Sequence, residues 1–139
     1  FVGESVVPVC APGFLERNGP FPNGKGLSST ALLHLDTLQG DRWYTWQTWL
    51  DSISEEIEDG NYGLVFNTYN LVLEAAIAEQ GVALGWAGLI DGAIKRGLLV
   101  PACDVTLKSK KGYWLVFNPD ISAASKALCM ELLESEPSL

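Results

Sequence analysis

The sequence lacks the features of a membrane protein and of a disulfide-stabilised secreted domain. No apolar run approaches the roughly 18 residues that suggest a membrane-spanning helix. The three cysteines, Cys10, Cys103 and Cys129, are odd in number and have no close pairing, which predicts reduced thiols and a cytoplasmic protein. Charged residues are also few, 19% against 47% hydrophobic residues in a chain of 139. This composition is that of one folded domain, or a piece of one, and argues against disorder.

Positive charge is scarce as well. Nine Lys and Arg residues stand against seventeen Asp and Glu residues, so the net charge is −8. A chain this acidic repels the phosphates of DNA and RNA. We therefore expect this chain not to bind nucleic acid.

Catalytic and metal-binding motifs are missing. The chain has no G-x-S-x-G, no P-loop and no G-x-G-x-x-G motif, and its Cys and His residues have no zinc spacing. The single histidine, His34, lies in an apolar run, where we expect a hydrogen-bonded structural residue. Since no pairing of nucleophile and base is visible, the sequence predicts a protein that is not an enzyme and has no cofactor and no metal.

What the sequence does contain is an alternation of short apolar strands and amphipathic segments. Such alternation through short loops predicts an α/β fold with a mostly parallel sheet. Pro8 inside the first strand favours an edge position or a bulge for that strand. Strands are predicted at 5–10, 31–35, 63–66, 82–86, 98–103 and 112–118, and helices at 14–18, 43–53, 71–80, 89–96 and 121–134.

Two of the predicted helices have distinctive patterns. The helix at 71–80 is apolar on nearly every side, as expected of a helix that packs on a sheet and is covered again, and Gly81 ends it. The other has a tryptophan-rich face with helical spacing: Trp43, Trp46, Trp49, Leu50 and Ile53.

The order of these elements resembles the effector-binding domain of LysR-type transcriptional regulators. The run EQGVAL at 79–84 is similar to the family's Gly-x-Gly-(Ile/Val)-Ala-Leu pattern, with Glu79 in place of the first glycine. A helix and a GLLV turn follow it, as they do in the family. SVVPVCAPGFL resembles a crossing strand, LLHLD with DRWYTWQTWL resembles a subgroup with a Trp-rich helix, and KGYWLVF resembles the returning strand. The resemblance covers nearly the whole chain and rests on order and spacing.

The resemblance implies the fold of type II periplasmic binding proteins, in which two crossing strands join two α/β lobes. The implied fold class is a Rossmann- or flavodoxin-like lobe with a mixed sheet flanked by helices. Residues 1–139 would then be a partial effector-binding domain. The second lobe and the first crossing strand would occupy about 1–111, and the returning strand and the C-terminal helix 112–139. The helix-turn-helix and most of the first lobe have no counterpart here.

One candidate binding segment follows the strand at 63–66. Asn67, Thr68, Tyr69 and Asn70 come directly after it and open a helix. Ligands of α/β sheets bind at such strand ends, and free N–H groups at a helix start suit an anion. The alternative interpretation is plain N-capping, with Tyr69 packed.

The second candidate segment opens the Trp-rich helix and consists of Arg42, Trp43, Tyr44 and Thr45. In the resembled family the matching loop lines the cleft between the lobes. Arg42 is suited to bidentate pairing with an anion, and the two aromatic rings to cation–π contact. Trp86, at the end of another strand, either reaches the same cleft or packs in the core. These residues predict a carboxylate or a zwitterionic amine, such as a betaine, as the ligand.

The function implied by the resemblance is the sensing of a small molecule by a bacterial transcriptional regulator. Effector binding between the lobes favours one lobe closure, which alters how the regulator bends DNA. DNA would be contacted only through a helix-turn-helix domain absent from this chain. Two alternatives stay open, a fragment of a solute-binding transport protein and a small flavodoxin-like enzyme.

The predicted C-terminal helix carries an apolar stripe of Ile121, Ala124, Leu128 and Leu132. In the resembled family this face packs on the first lobe, which the chain lacks. Leaving large apolar side chains in water costs about 1.5–3 kcal/mol each relative to burial. We therefore expect the stripe to fold back on its own lobe or to pack against a second copy, which predicts a homodimer.

Overall fold

The computed structural model describes residues 2–36, 44–59, 61, 63–113 and 116–135. The strands are β1 (Val2–Cys10), β2 (Leu33–Leu35), β3 (Leu64–Phe66), β4 (Ala83–Trp86), β5 (Val100–Pro101) and β6 (Leu107–Tyr113). The α-helices are α1 (Pro12–Asn18), α2 (Trp46–Ser52), α3 (Tyr69–Ile77), α4 (Asp91–Lys95) and α5 (Ala123–Ser135). Within these ranges every helix is too short or too polar to cross a membrane.

The sheet is mixed and is organised around β1. This strand pairs antiparallel with β4, and also antiparallel with β5 and β6. β2 and β3 pair in parallel, and an isolated parallel bridge between Leu32 and Val82 joins the start of β2 to β4. The predicted mixed sheet flanked by helices is therefore confirmed. The expectation of a mostly parallel sheet was wrong, because β1 is the longest paired strand and runs against its three partners.

Pro8 lies in the middle of the sheet and not at its edge, which corrects the sequence prediction. Its register partner on β4 is Leu84, and its carbonyl accepts a hydrogen bond from the N–H of Ala102. In a strand, the nitrogen and the carbonyl of one residue point to the same side. The nitrogen of Pro8 therefore faces the side of Ala102, which lies just past the end of β5 at Pro101, so the ladder with β5 ends where Pro8 has no N–H to donate.

Two buried clusters form on the two faces of the sheet because side chains alternate along each strand. Val6 and Cys10 of β1 join one cluster with Phe14 of α1 and the tryptophans of α2. Val9 of β1 joins the other cluster with residues of α3 and α4. Helices thus cover both faces. Burial in the first cluster raises the pKa of Cys10 to about 11, and all three cysteines are free thiols.

Helix α3 ends before Gly81, the residue predicted to stop it. The N–H of Gln80 donates to the carbonyl of Ala75, and Glu79 adopts the left-handed conformation with φ of 63°. This is a Schellman motif in which Glu79 takes the position that usually holds glycine. Gly81 is needed for a different reason, since a Cβ atom there would lie 2.6 Å from the carbonyl oxygen of Ala31.

The last strand begins earlier than the sequence pattern suggests. The strand predicted at 112–118 is found at Leu107–Tyr113 instead, and its first residue pairs with Val6. Leu107 and Ser109 are half-buried while Lys108 between them is exposed. Side chains therefore alternate between the two faces of this strand, but the polar residues of the segment conceal the pattern in the sequence. Helix α5 follows near its predicted position. Among its described side chains, none belongs to either buried cluster.

Candidate functional site

A small cleft of about 30 Å³ opens where α2 and α3 begin, beside the ends of β2 and β4. The starts of both helices and the carboxyl ends of the strands meet there, which is where α/β sheets bind ligands. The cleft is lined mainly by aromatic and aliphatic side chains. The lining residues are Leu33, His34, Leu35, Tyr44, Thr45, Trp46, Tyr69, Val72, Leu84 and Trp86.

The cleft unites both candidate segments only in part. Tyr44, Thr45, Tyr69 and Trp86 all line it. Three other predicted residues, Asn67, Thr68 and Asn70, are exposed and lie outside the lining. The last two, Arg42 and Trp43, lie outside the described residues.

Tyr69 and Trp86 form one wall of the cleft as a fixed pair. The Tyr69 hydroxyl donates to the Leu84 carbonyl over 2.9 Å and accepts from the backbone N–H of Trp86 over 3.2 Å. The two rings meet edge to face with their centroids 5.4 Å apart. Because the hydroxyl is bonded to β4, the rings are held in place and offer chiefly apolar surface. Trp86 therefore both packs and reaches the cleft, the two alternatives that the sequence left open.

The opposite wall is set by the start of α2. Thr45 caps this helix, since its hydroxyl accepts from the N–H of Thr48 over 3.2 Å and its own N–H donates to the Thr48 hydroxyl over 2.8 Å. The indole N–H of Trp46 donates to the carbonyl of Leu33 over 2.9 Å. This bond ties α2 to β2. Trp46, which the periodicity predicted as core, is indeed buried and also lines the cleft.

The start of α3 differs from that of α2. Thr68 occupies the N-cap position, yet its side chain makes no capping hydrogen bond. The N-capping expected from the side chains of 67–70 is therefore not made by Thr68, the residue at the N-cap position, while the packing of Tyr69 in the same interpretation is confirmed. The first turn of α3 lacks a cap from Thr68, and its N–H groups carry the positive end of the helix dipole.

His34 is the residue of the cleft that sequence reasoning misjudged. Its Nε2 is buried and has no hydrogen-bond partner within the described part of the chain, whereas a hydrogen-bonded structural role was expected. Burial lowers the pKa of His34, so the ring is neutral near pH 7. Its position at the carboxyl end of β2 was the available signal, because that is where this fold places ligands.

The side chains of the cleft offer two kinds of interaction. Aromatic rings are available for an apolar or cationic group, and a neutral imidazole for one hydrogen bond. Within the described ranges, His, Cys, Asp and Glu side chains form no group of three or more that could hold a metal ion.

Comparison with known proteins finds that the chain is similar to part of two transcriptional regulators. No family model matches it. It is 33% identical over 113 residues to the glycine cleavage system transcriptional activator of Escherichia coli K12, a match that covers 81% of this chain and 35% of that protein. The chain thus spans about a third of the length of this curated relative.

Solved structures show the same fold. The AmpR effector-binding domain from Citrobacter freundii superposes with a TM-score of 0.65 and 17% identity, over 97% of this chain and 67% of that one. The regulatory domain of CrgA from Neisseria meningitidis, a LysR-type regulator, gives 0.54 and 17%, over 71% of this chain and 47% of that one.

Proposed function

The chain is homologous to part of the LysR-type transcriptional regulators and has the fold of their effector-binding domains, and on this premise we propose that it senses a small molecule in its cleft as part of a bacterial regulator. The observation that carries this proposal is the cleft at the strand ends, whose walls are aromatic rings. The named relatives are regulators, which favours sensing over the alternatives of a transport protein and of an enzyme. We propose accordingly that the chain is not an enzyme and that it acts in the cytoplasm.

The mechanism we propose is a shift between conformations. An effector that binds one arrangement of the lobes better than the other stabilises that arrangement by the difference in binding free energy. The change would reach DNA through a separate helix-turn-helix domain, since the acidic chain itself repels phosphate.

The ligand we propose is a small carboxylate or a zwitterionic amine. Four aromatic side chains line the cleft, Tyr44, Trp46, Tyr69 and Trp86, and ring faces attract ammonium groups by about 0.5–2 kcal/mol each. The N-terminus of α3, which follows Thr68, carries the positive end of the helix dipole and would attract the carboxylate. Arg42, which the sequence predicts as a partner for the same group, belongs to this proposal as well.

A thermal-shift and calorimetric comparison tests the ligand class. Glycine betaine, choline, acetate and glucose are titrated separately into the 139-residue chain. We expect betaine to raise the melting temperature most, and Tyr44→Leu to weaken its binding by about 2- to 30-fold through loss of the ring face. Phe117→Leu, a ring outside the cleft, serves as the control and leaves binding unchanged. Stabilisation by glucose alone would refute the proposal.

We further propose that the chain forms a homodimer through α5. The side chains of Leu128 and Leu132 are 57% and 60% exposed, so the helix has not folded back on its own lobe. Of the two arrangements expected for the apolar stripe, packing against a second copy is the one that would bury these side chains. Burial of such side chains favours association.

A further inference from the structure

A buried carboxylate lies on β1, outside the cleft. Glu4 is 5% exposed and is the one charged side chain that is buried within the described ranges. Its Oε1 accepts from the indole N–H of Trp86 over 2.9 Å, and its Oε2 accepts from the Ser109 hydroxyl over 2.5 Å. The carboxylate thus bridges β4 and β6, which lie on opposite sides of β1.

The register of the sheet explains this bridge. Val6 pairs with Trp86 on β4 and with Leu107 on β6, and Glu4 pairs with Ser109. Residues two apart on a strand share a face, so Glu4 lies on the same face as Val6. From there its two oxygens reach a diagonal neighbour on one strand and the directly opposite residue on the other.

The bridge connects the cleft wall to the strand that leads out of the sheet. Trp86 lines the cleft, and its backbone and ring are held by Tyr69. Ser109 belongs to β6, the strand that precedes the segment with the exposed α5. A continuous set of contacts therefore runs from Tyr69 through Trp86 and Glu4 to Ser109.

A buried carboxylate makes these contacts depend on one another. Hydrogen bonds to a charged acceptor are stronger than those between neutral groups, and an oxygen left without its donor in an apolar environment keeps the full desolvation penalty. When Trp86 moves away from Glu4, the hydrogen bond between them resists the movement or pulls the carboxylate along. In the second case the carboxylate also shifts relative to Ser109 on β6.

We propose that Glu4 is a positioning residue that holds Trp86 in the cleft wall and transmits its displacement to β6. The proposal rests on the proposed function in one respect, namely that the cleft containing Trp86 is the ligand site. The link from Trp86 to β6 is a property of the fold and is tested without any ligand.

The first experiment follows the indole N–H resonance of Trp86 by NMR in the 139-residue chain, assigned by its loss in Trp86→Phe. We expect Ser109→Ala, on β6, to shift this resonance more than that of any other tryptophan. Ser5→Ala is the matched control, because Ser5 neighbours Glu4 but its register partner is Lys108, so its side chain points to the other face. Glu4→Gln keeps an acceptor and should restore the resonance that Glu4→Leu displaces.

The second experiment asks whether a change in the cleft reaches β6. Tyr69→Phe keeps the ring and removes the hydroxyl that holds Trp86. We expect it to raise amide hydrogen exchange of Leu107 and Ser109 by about tenfold, a local opening effect. The increase should be much smaller at the same two amides in the Ser109→Ala background, where the carboxylate has lost its hydrogen bond to β6. If the carboxylate only stabilised the fold, loss of its contacts would lower the stability of the chain, and the effect of Tyr69→Phe on exchange in β6 would stay the same.

The outcomes separate the two ideas. If Ser109→Ala moves the Trp86 resonance no more than Ser5→Ala does, or if Tyr69→Phe leaves β6 exchange unchanged, Glu4 does not couple them and the inference fails. Should Glu4→Leu not fold, Ser109→Ala and Tyr69→Phe still decide the matter. Failure of betaine to bind would count against the ligand proposal and leave these measurements unaffected.

Discussion

Helices α3 and α5 are both predicted from apolar patterns, yet apolar side chains of α3 are buried and apolar side chains of α5 are exposed. In α3, Val72, Ala75 and Ala76 are buried against the sheet. In α5, Leu128 and Leu132 stay in contact with solvent, and the nearby contact of the Lys126 ammonium with the Phe117 ring, 5.3 Å from its centroid, is local. An apolar stripe thus indicates that a helix needs a partner. It does not indicate whether the partner lies in the same chain.

The largest expected effect is on the free energy of unfolding, when an aspartate replaces an apolar residue in each of the two helices. Val72→Asp places a carboxylate in the buried cluster, so it should lower the free energy of unfolding by more than about 3 kcal/mol. Leu128→Asp should change it by about 0.5 kcal/mol or less when measured at a protein concentration too low for association. Urea denaturation of both variants checks this. Equal losses would mean that α5 packs on its own lobe.

Association of the chain tests the other half of the comparison. We expect sedimentation equilibrium to show a dimer whose dissociation constant rises about tenfold or more in Leu128→Asp, because each buried leucine contributes about 1.5–3 kcal/mol. Leu71→Asp is the matched control, an exposed leucine on α3 that should leave association unchanged. A wild-type chain that sediments as a monomer contradicts the dimer proposal.

The pH dependence of stability tests whether His34 is buried. Burial lowers the pKa of His34, so between the folded and unfolded pKa values the unfolded state binds more protons. The free energy of unfolding should therefore fall as the pH drops below about 6.5, the usual histidine value, and level off below the folded pKa. Since His34 is the single histidine, His34→Gln should remove this fall. Parallel curves for the two proteins would show that His34 is not desolvated.

The smallest effect concerns how the packed helices end. α4 ends with Gly97 in the left-handed conformation, and α3 ends with Glu79 in the same conformation. Glu79→Gly should stabilise the chain by about 0.5–1 kcal/mol, because the exposed 3.3 Å ion pair with Arg17 that it removes contributes little. Gly97→Ala should destabilise by a similar amount. Thermal unfolding measures both, and a loss of stability in Glu79→Gly would show that the ion pair outweighs the strain.

Much of the candidate site was predictable, because it depends on local order along the chain. Tyr44 and Tyr69 lie at the start of predicted helices and Trp86 ends a predicted strand, and the fold brings these helix starts and strand ends together. The roles of His34 and Trp46 were not predictable in full, since each lies in an apolar pattern that indicates burial. Whether a buried ring also faces a cleft depends on how two helices are spaced across the sheet.

The sequence by itself determined the elements of this protein and its kind of fold. Periodicity and short loops specify an α/β arrangement, because a strand or helix buries whichever face its apolar residues form. Tertiary structure decided the strand directions, the central place of β1 and the burial of Glu4. These depend on pairings between residues far apart in the chain. The bond from Glu4 to Trp86 exists because the two strands lie side by side, which neither local pattern specifies.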